Sequence, residues 1–152
     1  MSDIDVISAV CSGIQEIGIQ VAGINTSYSL PPDTLETSSL PALYPLTGQA
    51  RHDNDALGRG MVMVVRNYSV QVALQAIAQG VSTEIEQQCR EMINSVCLAF
   101  RKHPMLNGTP GVLKSIIISD SGPAILTEWG GKYIGFEIRL EVSTAEPADY
   151  EE

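Results

Sequence analysis

The chain reads as an α+β fold: a two-layer sandwich in which a mainly antiparallel sheet of four to five strands carries two helices on one face, with a projecting β-hairpin or arm. Three observations carry this reading. Residues 81–103, VSTEIEQQCREMINSVCLAFRKH, place apolar side chains at Ile85, Cys89, Met92, Ile93, Val96, Cys97 and Phe100, a spacing near the helical repeat. Residues 66–76 and 133–142 alternate apolar and polar, as half-buried strands do. The elements run helix, extended segment, long strand, helix, then strands, an order that suits an open sheet with helices segregated to one side.

The length of 152 residues fits one domain with a real core. That domain is expected over residues 1–145, followed by an acidic tail at 146–152. A hydrophobic content of 44% excludes wholesale disorder. The net charge of −9 argues against a broad nucleic-acid footprint, which needs clustered Lys and Arg. The opening residues, MSDIDV, lack the basic start of a signal peptide, and no apolar run approaches the roughly 20 residues that span a bilayer. A soluble intracellular protein without membrane contact is expected. Cys11, Cys89 and Cys97 fall on apolar helix positions, which fits small buried hydrophobes in a reducing compartment.

In chain order, Ser2 or Asp3 is expected to cap a first helix whose face is Ile4, Ile7, Cys11, Ile14, Gly18 and Val21. Gly18 marks a close approach of another element or the helix end. Residues 24–39 read as a polar loop. In SLPALYPLTG, Pro41 and Pro45 each lack a ladder donor, so a short edge strand or arm is expected rather than a central strand. Residues 49–60, QARHDNDALGRG, read as a polar tip. Residues 61–76 then form one long strand, roughly 50 Å if fully extended, so part of it should project or bend. Its first part, residues 61–65, is apolar on both sides and needs a cover, from its own fold or from another subunit. In the second helix, Thr83 and Glu86 are expected to make a capping box, and Arg101, Lys102 and His103 suit the dipole at its end. Residues 113–119 form a continuous apolar strand, residues 124–129 a further short one, and Gly130–Gly131 a tight turn into the last strand.

Few residues are placed to carry chemistry. His52, Asp53, Asn54 and Asp55 could ligate a metal or move protons, but they are consecutive in a polar segment with no second ligand group, and a solvated loop is expected. Residues 47–60 hold glycines without a phosphate-loop spacing, and WGGKYIGFE is explained by a hairpin turn. No nucleophile elbow occurs. Arg51, Arg59 and Arg66 would form a small basic patch near the tip. No catalytic residue, cofactor or metal is expected; a small cytosolic enzyme using the His52 segment is the remote alternative.

Taken in order, the amphipathic start, the LPALYP arm at residues 40–45, MVMVVRNYSVQVAL, TEIEQQCREMINSVCLAF and the closing KYIGFEIRLEV resemble the tail terminator proteins of long-tailed, lambda-like phages. The resemblance implies a structural virion protein and not an enzyme. It would form a ring, a hexamer in this family, that caps the tail tube, ends its polymerisation and presents the head-joining surface. Implied partners are further copies of the chain, the tail-tube protein and a head-completion or connector protein, with DNA passing the lumen unbound. Assembly would take place in the host cytoplasm, and the product would sit at the head-proximal end of the virion tail. A head–tail adaptor or a tail-tube subunit is the nearest alternative. The candidate subunit-interface residues are Leu40, Leu43, Tyr44, Met61, Met63, Val65 and Arg66.

Overall fold

A computed structural model describes residues 5–54, 57, 60–77, 83–126 and 133–147. Its elements are α1 (Val6–Gln20), β1 (Thr26–Ser27), a short 3-10 turn (Thr37–Ser39), β2 (Ala42–Asp53), β3 (Met61–Ala76), α2 (Thr83–Lys102), β4 (Val112–Asp120), β5 (Ala124–Leu126) and β6 (Tyr133–Pro147). The fold is α+β, as expected. The sheet has six strands in the order β1-β2-β3-β6-β4, with β5 also on β6. All pairings are antiparallel except the two-residue match of β1 to β2. β4 and β5 follow one another along the same side of β6, so they act as one broken edge strand.

Both helices lie on one face. α1 buries Val10, Ile14 and Ile17, and α2 buries Ile85, Cys89, Met92, Val96, Cys97 and Phe100. They meet Tyr68, Val70, Val72 and Leu74 of β3 and Phe136, Ile138, Leu140 and Val142 of β6, the two strictly alternating rows. Each such fully buried aliphatic or aromatic side chain contributes about 1.5–3 kcal/mol relative to exposure. Gly18 lies inside α1, where an added Cβ would stand 2.4 Å from Ser27 Oγ and 3.1 Å from Leu43 Cδ2. The missing side chain is what lets α1 sit down on β1 and β2.

Local differences from the sequence expectation have simple causes. The cap of α1 is Asp5, whose carboxylate accepts from Ser8 N–H at 3.1 Å and Ser8 Oγ at 2.6 Å; Ser2 and Asp3 lie outside the described residues. Those two contacts hold the Asp5 carboxyl below its ordinary range. Thr83 is already helical, so it is not the cap of α2, and the residue before it lies outside the described set. His103 Nε2 sits 3.2 Å from Gln20 Oε1, joining the ends of the two helices. The polar tip is shorter than expected, because β2 continues through Asp53. Pro45 is accommodated because β1 covers β2 only at Ala42 and Leu43. β6 runs to Pro147, two residues into the expected tail. The Gly130–Gly131 turn and the end of the 124–129 strand fall outside the described residues.

The segment between β1 and β2 has a structural job. It crosses the face of the sheet opposite the helices and seals a second cluster of Leu35, Ala42, Tyr44, Ala73 and Leu126. Tyr133 Oη donates to the Leu35 carbonyl, and Asn25 Nδ2 to the Ser38 carbonyl at 2.8 Å. Only part of that face is covered; the rest carries the polar side chains of β6, among them Arg139 and Glu141.

Candidate functional site

The seven interface candidates do not form one surface. Leu43 has no exposure and belongs to the main core. Tyr44 is equally enclosed, and its hydroxyl donates to Gln71 Oε1 at 2.8 Å. Both are therefore corrected: the helices seal one and the segment before β2 seals the other, so neither offers a side chain to a neighbour. Leu40 is half-buried against the second cluster. Val65 is buried at 7% exposure, while Met61 and Met63 remain half-buried. Arg66 donates from Nη1 to the Gly48 carbonyl at 3.0 Å, bracing the bulge between Thr47 and Ala50. Leu40 lies beside the β2 start, which pairs at Ala73, whereas Met63 pairs with Asp53. Ten residues of β3 separate those ends, about 33 Å at 3.3 Å per residue.

What remains of the arm is a three-stranded extension. Residues 50–53 of β2, 61–66 of β3 and 142–147 of β6 are in register there. Met61 and Met63 share the row of Val65 and Asn67, on the face opposite the helix-covered row of Tyr68, Val70 and Val72, so neither helix packs on them. Their side chains stay half-buried, as do those of Leu40 and Arg66.

A second surface escaped the sequence reading. On the broken edge strand β4–β5, Leu113, Ile116, Ile118 and Ile125 are 42%, 43%, 45% and 58% exposed. A continuous apolar run usually marks a strand covered on both faces. Here register shifts between Val112 and Lys114, and between Ile117 and Ser119, turn Leu113 and Ile118 outward. Ile116 pairs with Glu141, on the face away from the helices. Ser115 N–H is taken by the Pro104 carbonyl at 2.6 Å, so the turn after α2 closes one position of this edge. Beyond it β4 is the last strand of the sheet. Exposed aliphatics on a strand edge are a pairing hazard that native folds usually cover.

The alleged reactive groups are dispersed. His52 and Asp53 are adjacent in β2, so their side chains leave opposite faces and cannot share a ligand. They are strand residues, not the solvated loop expected; Asp55 lies outside the described residues. Arg51 pairs with Val65, and Arg66 with Ala50, which puts the two guanidinium groups on opposite faces; Arg59 is outside the described set. The basic patch is thus divided. The three cysteines are buried and free, and burial raises each thiol, Cys11, Cys89 and Cys97 alike. Among the described residues no three of His, Cys, Asp and Glu converge, and no helix is long and apolar enough to cross a membrane. A half-open groove of about 330 Å³ lies between the end of α2 and β4, lined by Phe100, Arg101, Pro104, Ser115, Ile116 and Ile117.

Comparison with protein-family models and with curated protein sequences finds no match to the chain.

Proposed function

We propose that the chain is a structural subunit that assembles with copies of itself into a ring, and that the ring is a phage tail terminator: it caps the tail tube, ends its growth and presents the head-joining surface. The observation that carries the reading is the edge β4–β5, which no further strand flanks among the described residues, with Leu113, Ile116, Ile118 and Ile125 exposed. Covering such an edge with another chain both pairs its backbone and removes apolar surface from water. The half-buried Met61 and Met63, on the sheet face away from the helices, support the same reading. So does the net charge of −9, since an acidic wall lets a negative polymer pass without adhering. The choice of tail terminator among ring-forming proteins rests on the resemblance in element order.

Light scattering during size-exclusion chromatography, with negative-stain imaging of the same fractions, tests this. Closed rings that bind purified tail tubes at one end are expected. Long self-polymerised tubes would point to a tube subunit instead, and a strict monomer that binds no tail component would overturn the assignment.

A further inference from the structure

The sheet face away from the helices holds a small polar hollow. Gln49, Ala50 and Arg51 of β2, Val65 and Asn67 of β3 and Glu141 of β6 line about 210 Å³. In the sheet order β3 lies between β2 and β6. Arg51 pairs with Val65 and Glu141 with Asn67, so the two charged residues stand on either side of the β3 row. Two strand spacings, about 10 Å, separate their strands, and the long side chains narrow that gap from both sides.

Three observations mark the hollow as more than a dimple. The opposite charges on its rim do not meet: among the described residues the ion pairs are Arg90–Glu86 and Arg139–Glu137. Arg139, beside Glu141 on β6, is thus engaged, and Lys114 on the far flank of β6 makes no ion pair with Glu141. The buried side-chain atoms that find no hydrogen-bond partner among the described residues are Asn67 Oδ1 and Ser69 Oγ, successive members of one row of β3. The next member, Gln71, accepts from Tyr44 Oη at 2.8 Å. An enclosed polar atom without a partner is destabilising, and two side by side call for a reason outside the packing of the fold. The β2 bulge is the third observation. Gly48 lets it close on β3, since an added Cβ would stand 2.6 Å from the Asn67 carbonyl oxygen, and Arg66 Nη1 holds the Gly48 carbonyl at 3.0 Å. Bulges re-aim side chains, and this one sets Gln49 on the rim beside Arg51.

We propose that the hollow binds a small zwitterion of the α-amino-acid class. Its carboxylate meets the Arg51 guanidinium and the Gln49 amide, its ammonium meets the Glu141 carboxylate and the Asn67 carboxamide oxygen, and its carbon stem rests on Val65. The terminal torsion of Asn is broad and roughly two-fold, so a turn of the carboxamide brings its oxygen from the enclosed position to the ligand. A rim with one charge of each sign favours a ligand carrying both, because a simple anion or cation would meet a like charge. A volume below the roughly 300–1,000 Å³ of usual ligand pockets limits the ligand to a few non-hydrogen atoms. The site lies within one chain, so it stands whether or not copies assemble.

Saturation-transfer difference NMR on the full chain tests it. The probes are glycine and L-alanine; acetate and methylammonium, the two ends of glycine taken singly, are the controls. Either amino acid should give a saturable signal at millimolar concentration that neither control gives. Arg51→Gln and Glu141→Gln should each weaken binding about tenfold, as one lost charge-assisted contact implies. Both side chains lie outside the two hydrophobic clusters, so the circular dichroism of these variants should match the unmodified chain. Asn67→Val should weaken binding yet raise the urea midpoint, because it removes the unpartnered acceptor; a residue kept only for the fold would lower it. No saturable signal for either amino acid, an equal signal from acetate or methylammonium, or unchanged binding in Arg51→Gln and Glu141→Gln would overturn the proposal. A lowered midpoint with binding retained in Asn67→Val would overturn the role given to Asn67.

Discussion

The packing of β3 against β6 is tested most sharply at Gly135. It sits opposite Ala73, just where a register shift between Ala73 and Gln75 brings the two strands together. A Cβ at Gly135 would lie 1.8 Å from the Val72 carbonyl oxygen, 2.9 Å from its carbonyl carbon and 3.1 Å from Ala73 Cα. All three are backbone atoms of a central strand, so no rotamer change relieves the contact. Moving the oxygen beyond 3.0 Å needs over 1 Å of strand displacement inside a region that also holds Phe136 and Val72, neither exposed. Overpacking of this kind costs about 1–3 kcal/mol and more when backbone must move, so Gly135→Ala should lose about 3 kcal/mol. For a chain of this length that is a fall of roughly 6–12 °C in Tm. Urea unfolding followed by far-UV circular dichroism measures it, as a lower midpoint with unchanged slope. The control is Gly60→Ala. Gly60 has φ +83° but nothing within 4 Å of an added Cβ, so only the left-handed strain of about 1 kcal/mol applies. A Gly135→Ala loss no larger than that of Gly60→Ala would refute the close-approach argument.

Three further outcomes follow from the interior and the caps. Tyr44→Phe removes the donor to Gln71 Oε1 inside the second cluster and should cost about 1–2 kcal/mol in urea unfolding, without loss of the fold. The lowered Asp5 carboxyl contributes stability above its unfolded value, and that stability disappears as pH falls through the folded value; Asp5→Ala should therefore flatten the acid limb of the midpoint-versus-pH curve. Burial, reinforced by Cys11, holds the Tyr68 phenol above its ordinary value of 10.0, so folding is fully favoured below that pH and weakened as pH rises above it; Tyr68→Phe should shallow the alkaline limb of the same curve.

How far these features could be read from residues alone differed by element. α2 was legible almost side chain by side chain, because its six buried positions all fall on a 3.6-residue stripe. The inward rows of β3 and β6 were legible for the same reason, at period two. The segment before β2 was not, because its polar, proline-containing sequence gives no sign that Leu35 will be pressed onto the second face. That hidden cover is also why Tyr44 looked available to a neighbour. The end of β2 was missed because Gly48 and the polar Gln49, Arg51, His52 and Asp53 resemble a turn; on an arm beyond the helices, a paired strand needs no apolar row. The strand at residues 113–119 was legible, but its exposure was not, because composition reports apolar character and not which side chains meet the core. Two bulges, invisible in composition, leave Leu113 and Ile118 exposed among the described residues.

The account turns on whether the β4–β5 edge is sealed by another copy. Replacing Ile116 and Ile118 by Lys puts charge on exposed positions, so the isolated fold should keep its stability to within about 0.5 kcal/mol. The deciding measurement is the light-scattering mass of the unmodified chain beside this double variant at matched concentration. The account predicts a multiple of the 16.3 kDa chain mass, six-fold for a hexamer, that collapses to a single chain in the variant. Equal masses for the two proteins, whether both assembled or both single, would contradict it.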